Sequence, residues 1–143
     1  MLKSRQGAAA YVEAVDLSVP SAEARLGAAL KRKKHVSDVL VNGAGVLSQG
    51  LFTGMSAATH EQLIALNIAG LTAMISEFLP GMAARAGQGA RGRILNVASI
   101  AAFQPILSLA TYAASKAFAL SLTESLSEEM KGTGVTVTAP TCF

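Results

Sequence analysis

Three side chains that could share one proton-transfer step lie close together in the sequence, at Ser99, Tyr112 and Lys116. Tyr112 and Lys116 are four residues apart, so on a helix they would share one face and meet the same small molecule. An ammonium near a phenol favours the phenolate, which suits the phenol to work as a general acid or base. Ser99 ends an apolar, strand-like run and could hydrogen-bond the oxygen whose proton Tyr112 handles. The spacing therefore predicts acid–base chemistry on a small molecule.

The Tyr-x-x-x-Lys pair has a second interpretation when it is taken alone. An exposed helix tyrosine beside a lysine whose stem lies along apolar surface would give the same spacing. The catalytic interpretation is favoured by the setting, which is a serine at a strand end, a loop, and then the pair at the start of a long helix. The residues alone leave both interpretations open.

Four further stretches have the order and spacing of the short-chain dehydrogenase/reductase family, and the chain resembles that family. They are D-L-S at 16–18, D-V-L-V-N-G-A-G at 38–45, L-N-I-A-G at 66–70 and G-R-I-L-N-V-A-S at 92–99. The resemblance runs from about residue 9 to residue 138, which is nearly the whole chain. It implies hydride transfer between a nicotinamide cofactor, either NAD or NADP, and a small-molecule carbonyl or secondary alcohol.

The resemblance also implies a role for each catalytic position. Ser99 would orient and polarise the substrate oxygen, and Tyr112 would give or take its proton. Lys116 would hold the nicotinamide ribose and favour the tyrosinate. Asn67 would complete the set by holding a water that links Lys116 to solvent. Without the resemblance, Asn67 reads equally as an ordinary asparagine at a helix junction, since asparagine is a mediocre helix former.

The cofactor-binding residues implied by the resemblance are Asp16, the stretch Asn42-Gly43-Ala44-Gly45, and again Tyr112 and Lys116. Ligands of doubly wound sheets bind at the carboxyl ends of the strands, and backbone without Cβ atoms lets a flat ligand approach closely. Asp16 would accept a hydrogen bond from the adenine amino group. The family usually has a second asparagine where this chain has Gly43. The residues alone also allow a plain tight turn at 43–45 and a turn cap made by Asp16 with Ser18.

Strand and helix patterns alternate along the chain. Strands are predicted at 10–15, 39–41, 94–97 and 135–138, with the run at 39–41 buried on both faces. Helices are predicted from a Ser21 cap to Lys33, from a Ser56 cap into a second stretch over 67–85, and over 109–130. This alternation predicts a doubly wound parallel α/β sheet of the Rossmann-like kind, a partial three-layer α/β/α sandwich in one domain spanning 1–143.

Composition narrows the class of protein. The net charge is only +3, and its dense patch, Lys31 to His35, is typical of a solvated helix end, so no nucleic-acid partner is expected. No continuous apolar run approaches the 18 residues that a membrane span needs, so no membrane partner is expected and the predicted location is cytoplasmic. The one cysteine, Cys142, excludes an internal disulfide. His35 and His60 are predicted to lie on the surface, and no metal site is predicted.

Two parts of the family pattern have no match. No G-x-x-x-G-x-G turn for the pyrophosphate occurs, and Ala139 to Phe143 stands in place of a Pro-Gly stretch that would touch the nicotinamide. Cofactor binding is therefore expected to be weakened or lost. The predicted strand at 10–15 lacks its two family neighbours, so it is expected to re-pair, detach or find a second chain.

Two functions stay open on this evidence. The chain is either an oxidoreductase of the short-chain type or a truncated, non-catalytic fragment or pseudoenzyme that acts through helix-mediated assembly. In the resembling family two long helices form a dimer interface. The resemblance therefore implies a homodimer or homotetramer through the helices at about 67–85 and 109–130.

Overall fold

Parallel strands joined by helices make up the part of the chain that a computed structural model describes, residues 10–142. The strands are β1 (Val39–Asn42), β2 (Gly92–Asn96), β3 (Ala98–Ser99), β4 (Val135–Thr138) and β5 (Thr141–Cys142). The helices are α1 (Ala22–Arg32), α2 (Ala57–Ile64), α3 (Leu71–Ala86) and α4 (Ala110–Glu129). One parallel sheet has the order β1-β2-β4, and β3 pairs with β5 in a second. This topology confirms the partial doubly wound α/β fold.

The core lies on one face of the three-stranded sheet. Leu40, Ile94 and Val137 are neighbours across the strands, and all three are buried. Helices α3 and α4 pack over them, with Met74 and Met82 of α3 in the same apolar cluster. Burying side chains of this size stabilises a fold by about 1.5–3 kcal/mol each, so this layer fixes where the strand ends lie.

The opposite face of the sheet is exposed within residues 10–142. The strand predicted at 39–41 is confirmed, but its burial on both faces is wrong, because Val39 and Val41 are 55% and 60% exposed. Their side chains alternate with Leu40, which alone faces the helices. The described helices pack on the Leu40 side, so no helix within residues 10–142 covers Val39 and Val41.

The predicted strand at 10–15 is wrong. Residues 10–16 form neither strand nor helix, because a strand needs a backbone ladder and β1 pairs only with β2 in the described chain. The segment lies against the end of α1 instead. Glu13 forms an ion pair with Lys33 at 3.0 Å, and the Tyr11 ring lies 5.2 Å from the His35 ring. Of the three alternatives left open for this segment, the described chain shows detachment from the sheet and no pairing with another of its strands.

Helix boundaries follow the predictions closely, with one difference in capping. Ser56 is the N-cap of α2 and its hydroxyl accepts a hydrogen bond from the Thr59 N–H, as predicted. Ser21 precedes α1 but makes no side-chain cap, since its φ of 62° places it in the left-handed region. The basic patch lies at the exposed end of α1, as predicted.

A single continuous helix runs through α2, a π-helical segment (Ala65–Gly70) and α3. By length and composition alone it could cross a bilayer, with a mean hydropathy of 1.6 over its most apolar window, and the core helix of a soluble protein meets the same criterion. Glu61 and Glu77 interrupt its apolar run, which is why the sequence alone did not single it out. Only 28% of that window is buried within the described chain, which leaves apolar surface exposed.

Candidate active site

Ser99 stands at the end of β3, where the chain leaves the sheet. Its side chain is buried, and its Oγ accepts a hydrogen bond from the Ala101 N–H at 3.2 Å. This bond caps the short 3-10 turn Ile100–Ala102 and holds the serine in place. A hydroxyl has one hydrogen to donate besides the lone pairs that accept. Ser99 can therefore donate to a substrate oxygen while its position stays fixed.

Tyr112 and Lys116 lie in the first two turns of α4, and the predicted proximity of the pair is observed. The Lys116 Nζ atom is 5.8 Å from the centre of the Tyr112 ring and donates a hydrogen bond to the Val97 carbonyl oxygen at 2.8 Å. Val97 lies two residues before Ser99 in the connection between β2 and β3. Because α4 also packs against β3 and the 3-10 turn after it, these elements bring the three groups to one edge of the sheet.

Asn67 lies in the π-helical segment and is buried, with its side-chain amide fully engaged. Its Oδ1 accepts from the Val46 N–H at 2.9 Å, and its Nδ2 donates to the Val46 carbonyl oxygen at 2.9 Å and to Ser115 Oγ at 3.1 Å. The amide therefore joins the loop after β1 to α4. The water-holding role implied by the resemblance stays a prediction.

Gly45 lies close to both Asn67 and Lys116. A Cβ atom on Gly45 would lie 3.3 Å from Asn67 Oδ1 and 3.9 Å from Lys116 Nζ. The first distance is tighter than an ordinary contact, so a side chain here would press on the Asn67 amide. Glycine keeps this space open between the two predicted catalytic side chains.

The stretch 42–45 forms the carboxyl end of β1. The Asn42 Nδ2 donates to Asn96 Oδ1 at 2.8 Å, and the fully buried Asn96 donates in turn to Thr123 Oγ1 at 2.9 Å. These bonds tie β1, β2 and α4 together below the predicted site. Residues 43–45 are exposed, which leaves their backbone open to a ligand. A Cβ on Gly43 would make an ordinary 3.8 Å contact with Val97, so this position has room for a side chain.

Asp16 caps a turn, which is one of the two interpretations left open by the sequence. Its Oδ1 accepts from Ser18 Oγ at 2.6 Å and from the Ser18 N–H at 2.9 Å. These two hydrogen bonds lower the pKa of the Asp16 carboxyl below its ordinary value, because they stabilise the ionised form. Leu17 lines a small cavity of about 70 Å³ with Gly43 and Ala44, so the Asp16 turn lies beside the 42–45 stretch. Its contact with adenine stays a prediction.

Sequence reasoning missed His60 and Thr111. The prediction that His60 lies on the surface is wrong, because the residue is half-buried: its Nε2 atom is buried and its ring stacks on Phe52 with 4.5 Å between ring centres. Its Nδ1 lies 2.8 Å from Thr111 Oγ1, next to Tyr112 in the chain. The available signal was its position seven residues before Asn67, which places both on one helix face.

An apolar rim surrounds this edge of the sheet. It consists of side chains that are each more than half exposed, namely Leu47, Leu51, Phe52, Phe103 and Leu107. The two loops that carry them are joined by a hydrogen bond from the Gly50 N–H to the Ser108 carbonyl oxygen at 2.9 Å. No Asp, Glu, Lys or Arg occurs at 39–60 or at 94–115. The two segments that carry the rim therefore bring no charged side chain to this edge.

This chain is similar in sequence to known oxidoreductases. The sequence matches the family model described as short chain dehydrogenase over residues 2–142. An uncharacterized oxidoreductase of Myxococcus xanthus is 37% identical over 138 residues, which cover 93% of this chain and 52% of the relative. The probable oxidoreductase EphD of Mycobacterium tuberculosis is 30% identical over 133 residues, covering 93% of this chain and 22% of that protein.

A solved structure agrees with the sequence matches. The crystal structure of a metagenomic short-chain oxidoreductase in complex with NADP superimposes with a TM-score of 0.82 at 33% identity, covering 90% of this chain and 57% of that one. This chain thus spans about half, or less, of the length of these relatives.

Proposed function

Because this chain belongs to the short-chain dehydrogenase family of oxidoreductases, we propose that it transfers a hydride between NAD or NADP and a carbonyl or secondary alcohol. The observation that carries the proposal is the position of Lys116, whose Nζ lies 2.8 Å from the Val97 carbonyl oxygen and 5.8 Å from the Tyr112 ring. This places a cation beside a phenol at the edge of the sheet where Ser99 ends β3.

In this proposal each side chain has one task. Ser99 donates a hydrogen bond to the substrate oxygen, which fixes the oxygen and polarises the bond to carbon. Tyr112 gives its phenolic proton to that oxygen in reduction and removes it in oxidation. The positive charge of Lys116 attracts the negative charge that develops on the phenol oxygen, and Val97 holds the ammonium in place. Asn67 orders the backbone of the loop after β1 beside Lys116.

The residues at this edge fit a nicotinamide dinucleotide. The backbone at 43–45 is exposed, and Gly45 has no Cβ to fill the space between Asn67 and Lys116. When bound, the nicotinamide supplies or accepts the hydride. Lys116 and Tyr112 would contact its ribose, and Asn42 to Gly45 would shape the surface beside it. Asp16 would accept a hydrogen bond from the adenine, with Ser18 holding its carboxylate. A relative of known structure binds NADP, which supports a nicotinamide cofactor without choosing between NAD and NADP.

The substrate we propose is uncharged and apolar. The apolar rim is exposed, and the two segments that carry it, 39–60 and 94–115, hold no Lys or Arg that could pair with a substrate carboxylate or phosphate. Burying an unpaired charge against such a surface is costly. A matched pair of ketones, 2-octanone and 7-oxooctanoate, tests this point. We expect a kcat/KM at least about tenfold higher for 2-octanone, and a preference for the carboxylate would refute the proposal.

We propose that two copies of the chain associate through the helices at 67–85 and 109–130, as a homodimer or homotetramer. The continuous apolar helix is mostly exposed, and α4 presents the small exposed residues Ala114 and Ala117 beside Phe118. A cavity of about 460 Å³ lies between this alanine face and the loop at 101–106. Small residues allow two helices to approach closely.

A second candidate function is assembly without catalysis. The observation that favours it is the exposed sheet face, where Val39 and Val41 leave apolar surface open. Such a fragment or pseudoenzyme would associate with other chains but would bind no nicotinamide cofactor.

Cofactor titration separates the two candidates. The enzymatic function requires saturable binding of NADH or NADPH to the purified chain, measured by nicotinamide fluorescence, even if the missing glycine-rich turn weakens the affinity. Tyr112→Phe should keep that affinity and lower kcat by about 100-fold or more, as the loss of a general acid–base group does. The chain has one other tyrosine, so Tyr11→Phe is the matched control. If the chain binds neither NADH nor NADPH, its proposed enzymatic function is refuted. Equal turnover of wild type and Tyr112→Phe would exclude Tyr112 as the acid–base group.

A further inference from the structure

The helix that carries Tyr112 begins without a side-chain cap. Leu109 is the N-cap residue of α4, and no side chain there accepts a hydrogen bond from the first turn. The first four N–H groups of a helix have no partner within the helix, so an uncapped start loses order more easily. Tyr112 lies in this first turn. Its phenol needs another source of order if it is to stay at one place beside Lys116.

Two hydrogen bonds from the neighbouring helix supply that order, and we call them the α4 anchors. The first joins Thr111 Oγ1 to His60 Nδ1 at 2.8 Å. In the second, Asn67 Nδ2 donates to Ser115 Oγ at 3.1 Å, and Ser115 Oγ donates to the Tyr112 carbonyl oxygen at 2.7 Å. Tyr112 therefore lies between two anchored residues, and both anchors lead to the continuous helix over 57–86.

The hydrogen on the His60 ring can be assigned from its surroundings. Nε2 is buried and has no hydrogen-bond partner among residues 10–142, whereas Nδ1 faces the Thr111 hydroxyl. A buried N–H without an acceptor is rarer than a buried acceptor without a donor. The hydrogen therefore belongs on Nδ1, which donates to Thr111 Oγ1. Phenylalanine would keep the stacking on Phe52 and remove the unpartnered nitrogen, so packing alone does not account for a histidine here.

We propose that His60 is a positioning residue for Tyr112: its Nδ1–H donates to Thr111 and holds the uncapped first turn of α4. This inference rests on the proposed function for the part that Tyr112 plays in proton transfer. It adds a residue outside the Ser, Tyr, Lys and Asn set, because His60 acts only through Thr111 and reaches no reacting atom.

The first test is spectroscopic and needs no activity. In the whole chain, ¹⁵N NMR of the imidazole nitrogens should find the His60 hydrogen on Nδ1. Thr111→Val removes the hydroxyl and should shift the ring toward the Nε2–H form that predominates in free histidine. A wild-type ring that carries its hydrogen on Nε2 would overturn the assignment and, with it, the proposal.

The second test separates positioning from packing. His60→Phe should lower kcat by about 3- to 10-fold, the effect of losing one such hydrogen bond, with KM and NADH affinity unchanged. Its midpoint of unfolding should be equal to or higher than that of wild type, because the unpartnered nitrogen is gone. His60→Asn places an amide near the Nδ1 position and should restore most of kcat, whereas His60→Gln should not. The exposed His35→Phe is the control.

Thr111→Val should cause the same loss of kcat as His60→Phe. The double variant should lose no more than either, because both changes remove one shared bond. Unchanged kcat in His60→Phe, or a loss that follows stability alone across the variants, would refute the positioning role.

If the chain shows no turnover, the proposed function is refuted, but the anchoring of α4 by His60 can still be tested. The Ala113 N–H donates to the Leu109 carbonyl oxygen at 2.8 Å in the first turn of α4. Hydrogen exchange at Ala113 should be about 3- to 10-fold faster in His60→Phe and unchanged in His35→Phe. Equal exchange in wild type and His60→Phe would refute the anchoring of this turn.

Discussion

Gly70→Ala would measure how closely the π-helical segment approaches the Asp16 turn. Gly70 is buried, and a Cβ there would lie 2.5 Å from the backbone oxygen of Leu17. Heavy atoms pack best about 3.5–4 Å apart, so the two segments must separate by about 1 Å. A backbone oxygen cannot rotate away as a long side chain can. Overpacking of this kind costs about 1–3 kcal/mol, and alanine recovers up to about 1 kcal/mol through helix propensity. We expect a net loss of about 1–2 kcal/mol.

Urea unfolding followed by circular dichroism would measure this loss against a matched control. Gly81→Ala lies in α3, where a Cβ would be 3.5 Å from the flexible Arg85 side chain, an ordinary contact. That control should gain about 0.5–1 kcal/mol from helix propensity alone. The amide resonances of Leu17 and Ser18 should shift in Gly70→Ala only. If Gly70→Ala is as stable as Gly81→Ala, the close approach of the π-helical segment to Leu17 is refuted.

Three further outcomes are expected. Ser18→Ala should raise the pKa of the Asp16 carboxyl part of the way toward its ordinary value of 3.8, measured by carbon-13 NMR titration, since it removes the hydroxyl bond that lowers this pKa most and keeps the bond from the backbone N–H. A lowered pKa gives stability that is present above the unfolded pKa and is lost as pH falls through the folded one, so this variant should be less sensitive to acid. Asn96→Leu should cost about 2 kcal/mol in urea unfolding, because it removes the buried hydrogen bond to Thr123 and leaves the part-buried Asn42 amide without its acceptor. Ala117→Arg should sediment as a monomer if α4 forms the proposed interface.

Each of these outcomes has a control. Ser125→Ala, whose hydroxyl donates within α4, should leave the Asp16 titration unchanged. Thr136→Arg lies on the exposed sheet face and should keep the assembly that Ala117→Arg disrupts. An unaltered Asp16 titration in Ser18→Ala, an Asn96→Leu variant as stable as wild type, or an oligomeric Ala117→Arg would each contradict the corresponding interpretation.

The sequence predicted features that depend on local chemistry. The Ser56 cap and the bounds of α4 follow from residues within one or two turns of each other. The proximity of Tyr112 and Lys116 follows from helix geometry in the same way. The strand at 39–41 was also found, because a short apolar run ended by glycine is a local signal.

Features that depend on distant partners could not be predicted from the sequence. The segment 10–15 has the composition of a strand, but whether it forms one depends on a ladder from elsewhere in the chain. The exposure of Val39 and Val41 depends on what packs over them, which no local pattern encodes. His60 was wrongly predicted to lie on the surface for the same reason. Its partial burial depends on Phe52 and Thr111, which lie on other elements.

The pairing of β3 with β5 couples the candidate serine mechanically to the last described strand. The Ala98 N–H donates to the Pro140 carbonyl oxygen at 2.9 Å, and Ser99 lies opposite Cys142 in the ladder. A displacement of residues 140–142 would therefore be transmitted to Ser99 through these backbone hydrogen bonds. Affinity tags and fluorescent labels for these experiments are accordingly better attached at the amino terminus.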